Sequence, residues 1–411
     1  MKTLYIAYFG ALKHLSHSQI LPYLRELAAV GVDVTLLSFE ERAADPGAEA
    51  EAIARLREEL KSAGIDWRWL RYHKRPSMPA TAYDAAIGTL YAGYLVLRKR
   101  IDVVHARGHV PGLMGLALER VLGVKLLFDL RGLMGEEYVE AGRWPAGGIA
   151  FRAVKWVENQ LFARADAVVM LTRAAVRTMK QQSVQLAGSQ AHIEVIPCCV
   201  DLQKFRTAVR NQEQRRRLGL EGKQVMVYVG STGGWYMSEE LARLFAVGRR
   251  RDSALHFLIL TQSPHQEMKT LLEKEGLPPD SYTVATASSA EMPRYLACAD
   301  FGVHFIRPGM AMIANSPTKF AEYLASGLPI LTNTGIGDSD EILEQERVGV
   351  ILKEFSEAAY QRGLEDIQRL LGDAQLASRC REAAQRRFDL RTVGRGGYSN
   401  VYRALGWNAS P

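Results

Sequence analysis

Short runs of consecutive apolar residues alternate with longer helical stretches along this chain, and the alternation stops once and then restarts. In the first half the strand-like runs are Leu4–Phe9, Val32–Ser38, Trp67–Tyr72, Val103–His105, Lys125–Asp129, Ala167–Leu171 and Ile193–Ile196. Helical periodicity separates them, for example over His17–Ala29 and Ala150–Phe162. Strands that alternate with helices come out parallel, because each helix carries the chain back across the sheet. The run Val124-Lys125-Leu126-Leu127-Phe128 is apolar on both sides of the strand, as a sheet covered on both faces requires. From Pro197 to about Gly222 the chain turns polar, with Arg215-Arg216-Arg217 at its centre. Strands are then predicted at Gln224–Val229, His256–Leu260, Ser281–Ala285, Phe301–Phe305, Pro329–Thr332 and Gly349–Leu352. Helices are predicted around Glu239–Val247, Gln266–Lys274, Ala290–Cys298, Thr318–Ser326 and Ala358–Leu371, then over 373–388 and 395–405. The expected class is therefore α/β, with two doubly wound parallel-sheet domains at 1–200 and 201–390 and a terminal segment at 391–411. Ligands of such sheets bind at the carboxyl ends of the strands, so the site is expected on the loops that follow strands, between the two domains.

Composition narrows the partners. At 47% hydrophobic and 24% charged, the 411 residues exclude a disordered, collagenous or coiled-coil chain. Lys+Arg 52 against Asp+Glu 45 gives +7, which suits an anionic ligand or a membrane surface but is too weak for a nucleic-acid binder. Most of that excess sits in 61–100, where Lys61, Arg68, Arg71, Lys74, Arg75, Arg98, Lys99 and Arg100 face only Asp66 and Asp84. Peripheral contact of this segment with an anionic membrane is one expectation, and a solvated basic surface is the other. Four cysteines without a CxxC pair indicate neither a zinc site nor a disulfide framework, and fit a reducing cytoplasm. Leu4–Leu12 has the length of a signal-peptide core but no small-residue cleavage site, so it reads as a buried strand ending at Gly10.

Three clusters carry chemistry. In Ser316-Pro317-Thr318-Lys319, Ser316 is expected as N-cap and Pro317 as first helical residue, with Gly327 closing the helix. Lys319 then stands in the first turn, where the helix dipole disfavours a cation unless an anion is bound there. Glu322, three residues on, is placed to accept from ribose hydroxyls. The second cluster, Gly230-Ser231-Thr232-Gly233-Gly234-Trp235, follows a strand and would bring backbone N–H groups close to a diphosphate. It matches neither GxGxxG nor GxxxxGKS. The third collects His105, Arg107, His109, Asp129, Arg131, Glu136 and Glu137 behind two strands of the first half. Arginine–carboxylate pairing of a structural kind competes there with a catalytic reading. Asp338-Ser339-Asp340 precedes a helical run and reads as a cap rather than a metal motif.

Together these residues resemble the GT-B glycosyltransferases, specifically the retaining family 4. The strongest match is Pro317 to Pro329, similar to that family's donor-site helix. Asp166-Ala167-Val168, Val195-Ile196-Pro197 through Asp201, Tyr228-Val229-Gly230, and Gly335-Ile336-Gly337 leading to Glu341 are similar to other segments of it. The resemblance implies two Rossmann-like domains facing a cleft. The second would hold a nucleotide diphosphate sugar, UDP- or GDP-linked, and the first a sugar, lipid-linked or small-molecule acceptor. It implies neither metal nor other cofactor, and a terminal helix that crosses back onto the first domain. Donor-binding residues would be Gly10, Gly230, Ser231, Thr232, Gly233, Arg307, Ser316, Pro317, Thr318, Lys319 and Glu322. His109, Arg131 and Glu137 would be catalytic, orienting the reacting sugar or the acceptor. The family's first paired glutamate falls at Ala314, and the Arg and Lys usual after the glycine loop are absent, which leaves diphosphate neutralisation to Lys319 and Arg307.

The expected activity is transfer of a sugar with retention of anomeric configuration, in glycan, glycolipid or glycoside biosynthesis. Two alternatives are a nucleotide-sugar epimerase of the same architecture and a catalytically silent sugar-binding or partner subunit, the latter suggested by Ala314.

Overall fold

The computed structural model describes residues 1–206 and 212–408. The chain divides into two compact units, Met1–Pro197 with Leu390–Pro411, and Cys198–Asp389. The first unit thus ends three residues before the predicted boundary and the second one residue before, while the terminal segment starts at Leu390. Part of the polar 197–222 stretch, at 207–211, and residues 409–411 of the terminal segment lie outside the described residues.

The first unit carries seven strands among the described residues: β1 (Lys2–Ala7), β2 (Asp33–Glu40), β3 (Ile65–Arg71), β4 (Val103–Arg107), β5 (Lys125–Leu130), β6 (Ala167–Met170) and β7 (His192–Val195). They pair in parallel in the order β3-β2-β1-β4-β5-β6-β7. Leu4 pairs with both Thr35 and Val104, and His105 with Leu127. Order reverses between β1 and β4, so the crevice of this sheet lies outside their carboxyl ends. The predicted helix over His17–Ala29 is two helices, His14–Gln19 and Leu21–Ala29. Ile20 leaves helical geometry at φ −125° and Pro22 opens the second helix, as a residue without an N–H does best in a first turn. The terminal helix Arg395–Ala404 buries Tyr398 and Tyr402 within this unit. Tyr402 Oη donates to Thr3 Oγ1 (3.0 Å), and Lys125 Nζ donates to the Leu405 carbonyl (2.6 Å).

The second unit carries six strands among the described residues: β8 (Gln224–Val229), β9 (Leu255–Leu260), β10 (Tyr282–Ala285), β11 (Phe301–His304), β12 (Ile330–Asn333) and β13 (Gly349–Leu352), in the parallel order β10-β9-β8-β11-β12-β13. Alternate residues of a strand point to opposite faces, and here both faces are buried. Val225 and Val227 pack with Leu258, Phe320 and Tyr323, whereas Met226 and Tyr228 pack with Leu241, Phe245 and Phe257. That two-sided burial is why these strands read as unbroken apolar runs. Order reverses between β8 and β11, which places the loops after Val229 and His304 at the crevice of this sheet. Of the predicted helices, Ala290–Cys298 shrinks to Met292–Leu296 and 373–388 starts at Leu376.

Candidate functional site

In the second unit, β8 runs into the loop Gly230–Trp235. Gly233 (φ +71°) and Gly234 (φ +63°) are both left-handed, a conformation that two successive side-chain-bearing residues would adopt only under strain. The loop is braced from within. Gly230 N–H donates to the Leu260 carbonyl (3.0 Å), Thr232 N–H to Ser263 Oγ (3.0 Å) and Gly233 N–H to Ser238 Oγ (3.1 Å). Three of the amides expected to face a diphosphate are therefore already engaged. Those of Ser231 and Gly234 have no partner among the described residues. The Thr232 hydroxyl donates to the Glu267 carboxylate.

Gly230 is glycine for another reason. A Cβ at this position would lie 2.6 Å from Lys319 Nζ and 2.7 Å from Tyr228 Oη. The lysine amine thus rests on the backbone of the loop. Lys319 is the second residue of the helix Thr318–Ala325 and only 9% exposed. Its Nζ has no hydrogen-bond partner among the described residues. It lies 4.0 Å from the centre of the Tyr236 ring and 5.6 Å from that of Tyr228. Burial pushes its pKa down, while Tyr236 and Glu322 oppose that shift. A buried, unpaired ammonium at the positive end of a helix is costly, and a bound anion offsets that cost.

The helix itself starts one residue later than the sequence indicates. Pro317 is the N-cap in extended geometry (φ −67°, ψ 124°), which displaces Ser316 from that role. The Ser316 hydroxyl accepts instead from the Cys198 amide (3.1 Å). Gly327 (φ +81°) follows the last turn in the left-handed geometry expected of it. Half-buried Glu322 has its pKa pushed up to about 7 by burial, with Lys319 and Lys204 pulling it down. Arg307 is exposed, and its amide donates to the Trp235 carbonyl (2.9 Å), which ties it to the end of the glycine loop. Ala314 lies buried in a 3-10 turn, Ala311–Ala314. Asp338 is the N-cap of Ser339–Glu346, and Asp340 accepts from the Thr334 hydroxyl (2.5 Å) and the Gly335 amide (3.3 Å), bracing the loop after β12.

Sequence reasoning missed the aromatic frame of this cluster. Tyr323 Oη accepts from the Val229 amide (2.8 Å) and donates to the Val303 carbonyl (3.3 Å), which fixes the helix against the ends of β8 and β11. Gly302 makes room for that ring, since a Cβ there would meet Tyr323 Cδ2 at 2.5 Å. His304 is buried against Phe320 and Tyr323 with both ring nitrogens lacking hydrogen-bond partners. Burial, with Lys319 beside it, lowers its pKa to about 3. Only the apolar spacing of Tyr228 and Tyr323 is visible in the sequence, and it reads as ordinary core.

In the first unit the expected cluster separates into two networks. The first centres on Asp129, fully buried at the end of β5. Tyr398 Oη donates to it (2.9 Å), and Arg131, His105 and Arg107 lie at 3.5, 3.5 and 3.7 Å. Burial alone would raise the carboxyl's pKa. The Arg131 charge, the His105 hydrogen bond and the Arg107 charge outweigh it and hold the group well below the usual carboxylate range. The structural pairing anticipated for Arg107 and Arg131 is thus present. The second network holds His109, the first residue of the helix His109–Leu122. Its ring is buried, with Nε2 3.2 Å from Glu158, and Lys155 bridges Glu158 to Glu136. Glu137 is half-buried against Gly132, and burial raises its pKa while His109 lowers it. His109 and Glu137 therefore share one environment and Arg131 belongs to the other.

Gly10 follows β1 in a turn wrapped on Glu40. A Cβ at Gly10 would meet Glu40 Oε2 at 2.6 Å, and Glu40 accepts from the amides of Ala11 (2.6 Å) and Leu12 (3.4 Å). The anion at this loop is the protein's own carboxylate, which argues against Gly10 as a phosphate contact. A further cluster, unsignalled by the sequence, lies past β1 and β3. Buried Asp84 accepts from Tyr8 Oη (2.8 Å) and the His73 amide (2.9 Å), with His73 Nδ1 at 2.5 Å.

Comparison with known proteins adds independent evidence. Residues 17–199 match the model of the glycosyl transferase 4-like domain. The chain is 23% identical over 265 residues to the alpha-D-kanosaminyltransferase of Streptomyces kanamyceticus, covering 61% of this chain and 64% of that relative. It thus spans slightly less than two thirds of that enzyme's length. Among solved structures, HepE of Anabaena in complex with UDP and glucose is similar at a TM-score of 0.68 and 16% identity, over 98% of this chain and 100% of that one. Sucrose-phosphate synthase from Thermosynechococcus elongatus is similar at 0.73 and 16%, over 99% of each. At these identities the structural likeness establishes the fold.

Proposed function

We propose that the chain is a glycosyltransferase: residues 17–199 match the glycosyl transferase 4-like domain, and the fold is the GT-B fold. Its donor is a nucleotide diphosphate sugar, UDP- or GDP-linked, held by the second unit. Its acceptor is a sugar, lipid-linked or small molecule held by the first, in glycan, glycolipid or glycoside biosynthesis. The observation that carries this reading is the buried Lys319 amine, unpaired and resting on Gly230 at the first turn of Thr318–Ala325. In the transfer, the bond from the anomeric carbon to the diphosphate oxygen breaks and its electron pair leaves with the diphosphate. A bond to the acceptor hydroxyl oxygen forms at the same carbon, with retention of configuration, as the O–H bond breaks and its proton passes to the departing diphosphate.

Charge grows on the diphosphate as the bond breaks, and preorganised cations and dipoles at that point lower the barrier most. Lys319 and the helix start supply them here, with exposed Arg307 on the loop after β11. Glu322 accepts from the ribose hydroxyls. On the acceptor side, the His109–Glu137 environment orients the incoming group, and Arg131 acts through Asp129 as a positioning residue. The HepE complexes contain UDP, glucose or UDP-glucose, which supports a uracil-linked donor for this chain as well.

The test is titration calorimetry with UDP and GDP, paired with turnover of NDP-sugars over a set of acceptors. Lys319→Ala is expected to cut transfer by on the order of 10²-fold or more. Unchanged turnover would remove Lys319 from the donor site. Conversion of the donor sugar without any acceptor would favour an epimerase, and donor binding without release of nucleotide would favour a silent subunit.

A further inference from the structure

The helix Ser77–Lys99 is apolar on every side, yet one side faces solvent. A helix of that composition is ordinarily buried all round. Between Ser77 and Leu97 its only charged residue is Asp84, and Asp84 is buried. The inward face packs closely: at Gly88 an added Cβ would meet Met114 Cε at 2.6 Å and Phe39 Cζ at 2.7 Å. The outward face carries Tyr83, Ile87, Leu90, Tyr94 and Leu97, at successive steps of four and three residues. With Ala86 they fall within an arc of about 100°. Leu90 is 72% exposed and Leu97 67% exposed. The 23-residue helix is about 34 Å long.

Charge at the ends of this face says what covers it. Exposed Lys74 and Arg75 precede the helix, and exposed Arg98 and Arg100 close it. Of the other basic residues of 61–100, Lys99 and Arg68 pair with Asp66, Arg71 pairs with Glu49, and Lys61 stands in the last turn of a different helix, Pro46–Ser62. Trp67 is buried, its indole N–H donating to Ser38 Oγ (2.8 Å). The basic block therefore does not act as one surface. Lys74, Arg75, Arg98 and Arg100, which form no ion pair with a carboxylate among the described residues, bracket the apolar stripe at both ends. A second copy docking through this helix by a two-fold axis would set like charges together in either direction. Parallel helices place Arg98 and Arg100 against themselves, and antiparallel helices place them against Lys74 and Arg75. An anionic bilayer satisfies both features at once, taking up the apolar side chains while its headgroups meet the four cations.

We propose that the outward face of Ser77–Lys99 is a membrane-docking surface, with the helix lying in the plane of an anionic lipid surface. The proposal is independent of the donor-site reading, because binding to vesicles needs no turnover. The full chain is to be sedimented with phosphatidylcholine vesicles, with and without phosphatidylglycerol. The expected result is at least tenfold stronger partitioning onto the anionic vesicles at low salt. The double variant Leu90→Glu/Leu97→Glu, at solvent-exposed positions, is expected to stay in the supernatant with an unchanged circular-dichroism melt. Arg98→Gln/Arg100→Gln is expected to lose the preference for anionic lipid. Absence of pelleting with either vesicle overturns the proposal, as does pelleting that the two glutamates leave intact. So does light scattering showing a dimer that Leu90→Glu dissolves, which would assign the face to a second copy.

Discussion

Replacing Lys319 with methionine separates a binding lysine from a structural one, because the two roles move stability and affinity in opposite directions. The amine is buried and its Nζ lacks a hydrogen-bond partner among the described residues. A buried polar group left unsatisfied costs about 1–3 kcal/mol, more when charged. Methionine keeps the length of the side chain and removes that cost, so Lys319→Met is expected to stabilise the ligand-free protein. For a unit of this size each kcal/mol is worth about 2–4 °C in melting temperature. The lysine's pKa is lowered from 10.5 by burial. In the window between the lowered value and 10.5 the unfolded chain holds the proton and the folded one releases it, so wild-type stability rises with pH there. The gap between variant and wild type is therefore widest below the folded pKa and closes toward pH 10.5. Binding moves the other way. A charge-assisted hydrogen bond to a diphosphate is worth about 1.5–3 kcal/mol, so Kd for UDP or GDP should rise by about 10- to 150-fold. The assay is differential scanning fluorimetry across pH, with and without nucleotide diphosphate, backed by calorimetry. A variant that melts lower than wild type and binds nucleotide equally well would refute the reasoning.

Three further predictions follow from the same geometry. Burial pushes Glu322 from 4.5 to about 7, so the folded state keeps a proton that the unfolded chain has released. Stability should fall as pH rises from about 4.5 to 7, and Glu322→Gln should flatten that slope in a pH series of melts. The same variant should weaken UDP binding while leaving inorganic pyrophosphate affinity unchanged. Asp129→Asn leaves the buried ends of Arg107 and Arg131 uncompensated and should cost about 3–5 kcal/mol by urea denaturation; a loss under 1 kcal/mol would show that this network is not holding β5. Gly302→Ala drives a methyl to within 2.5 Å of the Tyr323 ring, and overpacking of that kind costs about 1–3 kcal/mol. Because Tyr323 fixes Thr318–Ala325, donor affinity should fall with it, and an unchanged Kd would detach the ring from the site.

The strands were legible because each is a run of apolar residues bounded by glycine, proline or charge, and a parallel sheet buried on both faces demands that pattern. Helices were legible where they are amphipathic. Ser77–Lys99 shows only its basic end in the sequence, because a helix apolar all round gives the period nothing to mark. Ser316 has the right side chain for an N-cap, but Pro317 in extended geometry takes that position and the serine hydroxyl turns to Cys198. The position of Lys319 could be read, since a cation in a first turn opposes the dipole. Its burial could not, because that depends on Tyr228 and Tyr236, more than eighty residues away in the chain. The surroundings of His109 were hidden in the same manner. Its place behind a strand was visible, but its partner Glu158 lies 49 residues on, across a helix pair that no local pattern announces.

Charge balance within each unit gives a further reason to place the anionic donor on the second. The first unit has cations on the loops and helices behind its strands, and the buried ones face internal carboxylates. Arg107 and Arg131 face Asp129, Lys155 faces Glu136 and Glu158, and Lys13 pairs with Glu41. Even the amides of its first loop are occupied, by Glu40. A diphosphate brought there would have to displace a carboxylate that already fits. In the second unit the order is reversed: Lys319 is buried beside two tyrosine rings, the Glu322 carboxyl that acts on it has a pKa pushed up to about 7, and among the described residues no carboxylate pairs with its amine. An anion arriving at that amine displaces nothing and relieves a buried charge. If that logic is right, introducing an internal partner should close the site. Ser231→Asp, on the loop that Lys319 touches through Gly230, is expected to raise the melting temperature and abolish nucleotide binding together, whereas the exposed Glu267 carboxylate, which reaches Thr232 of that loop from the helix His265–Lys274, is already tolerated.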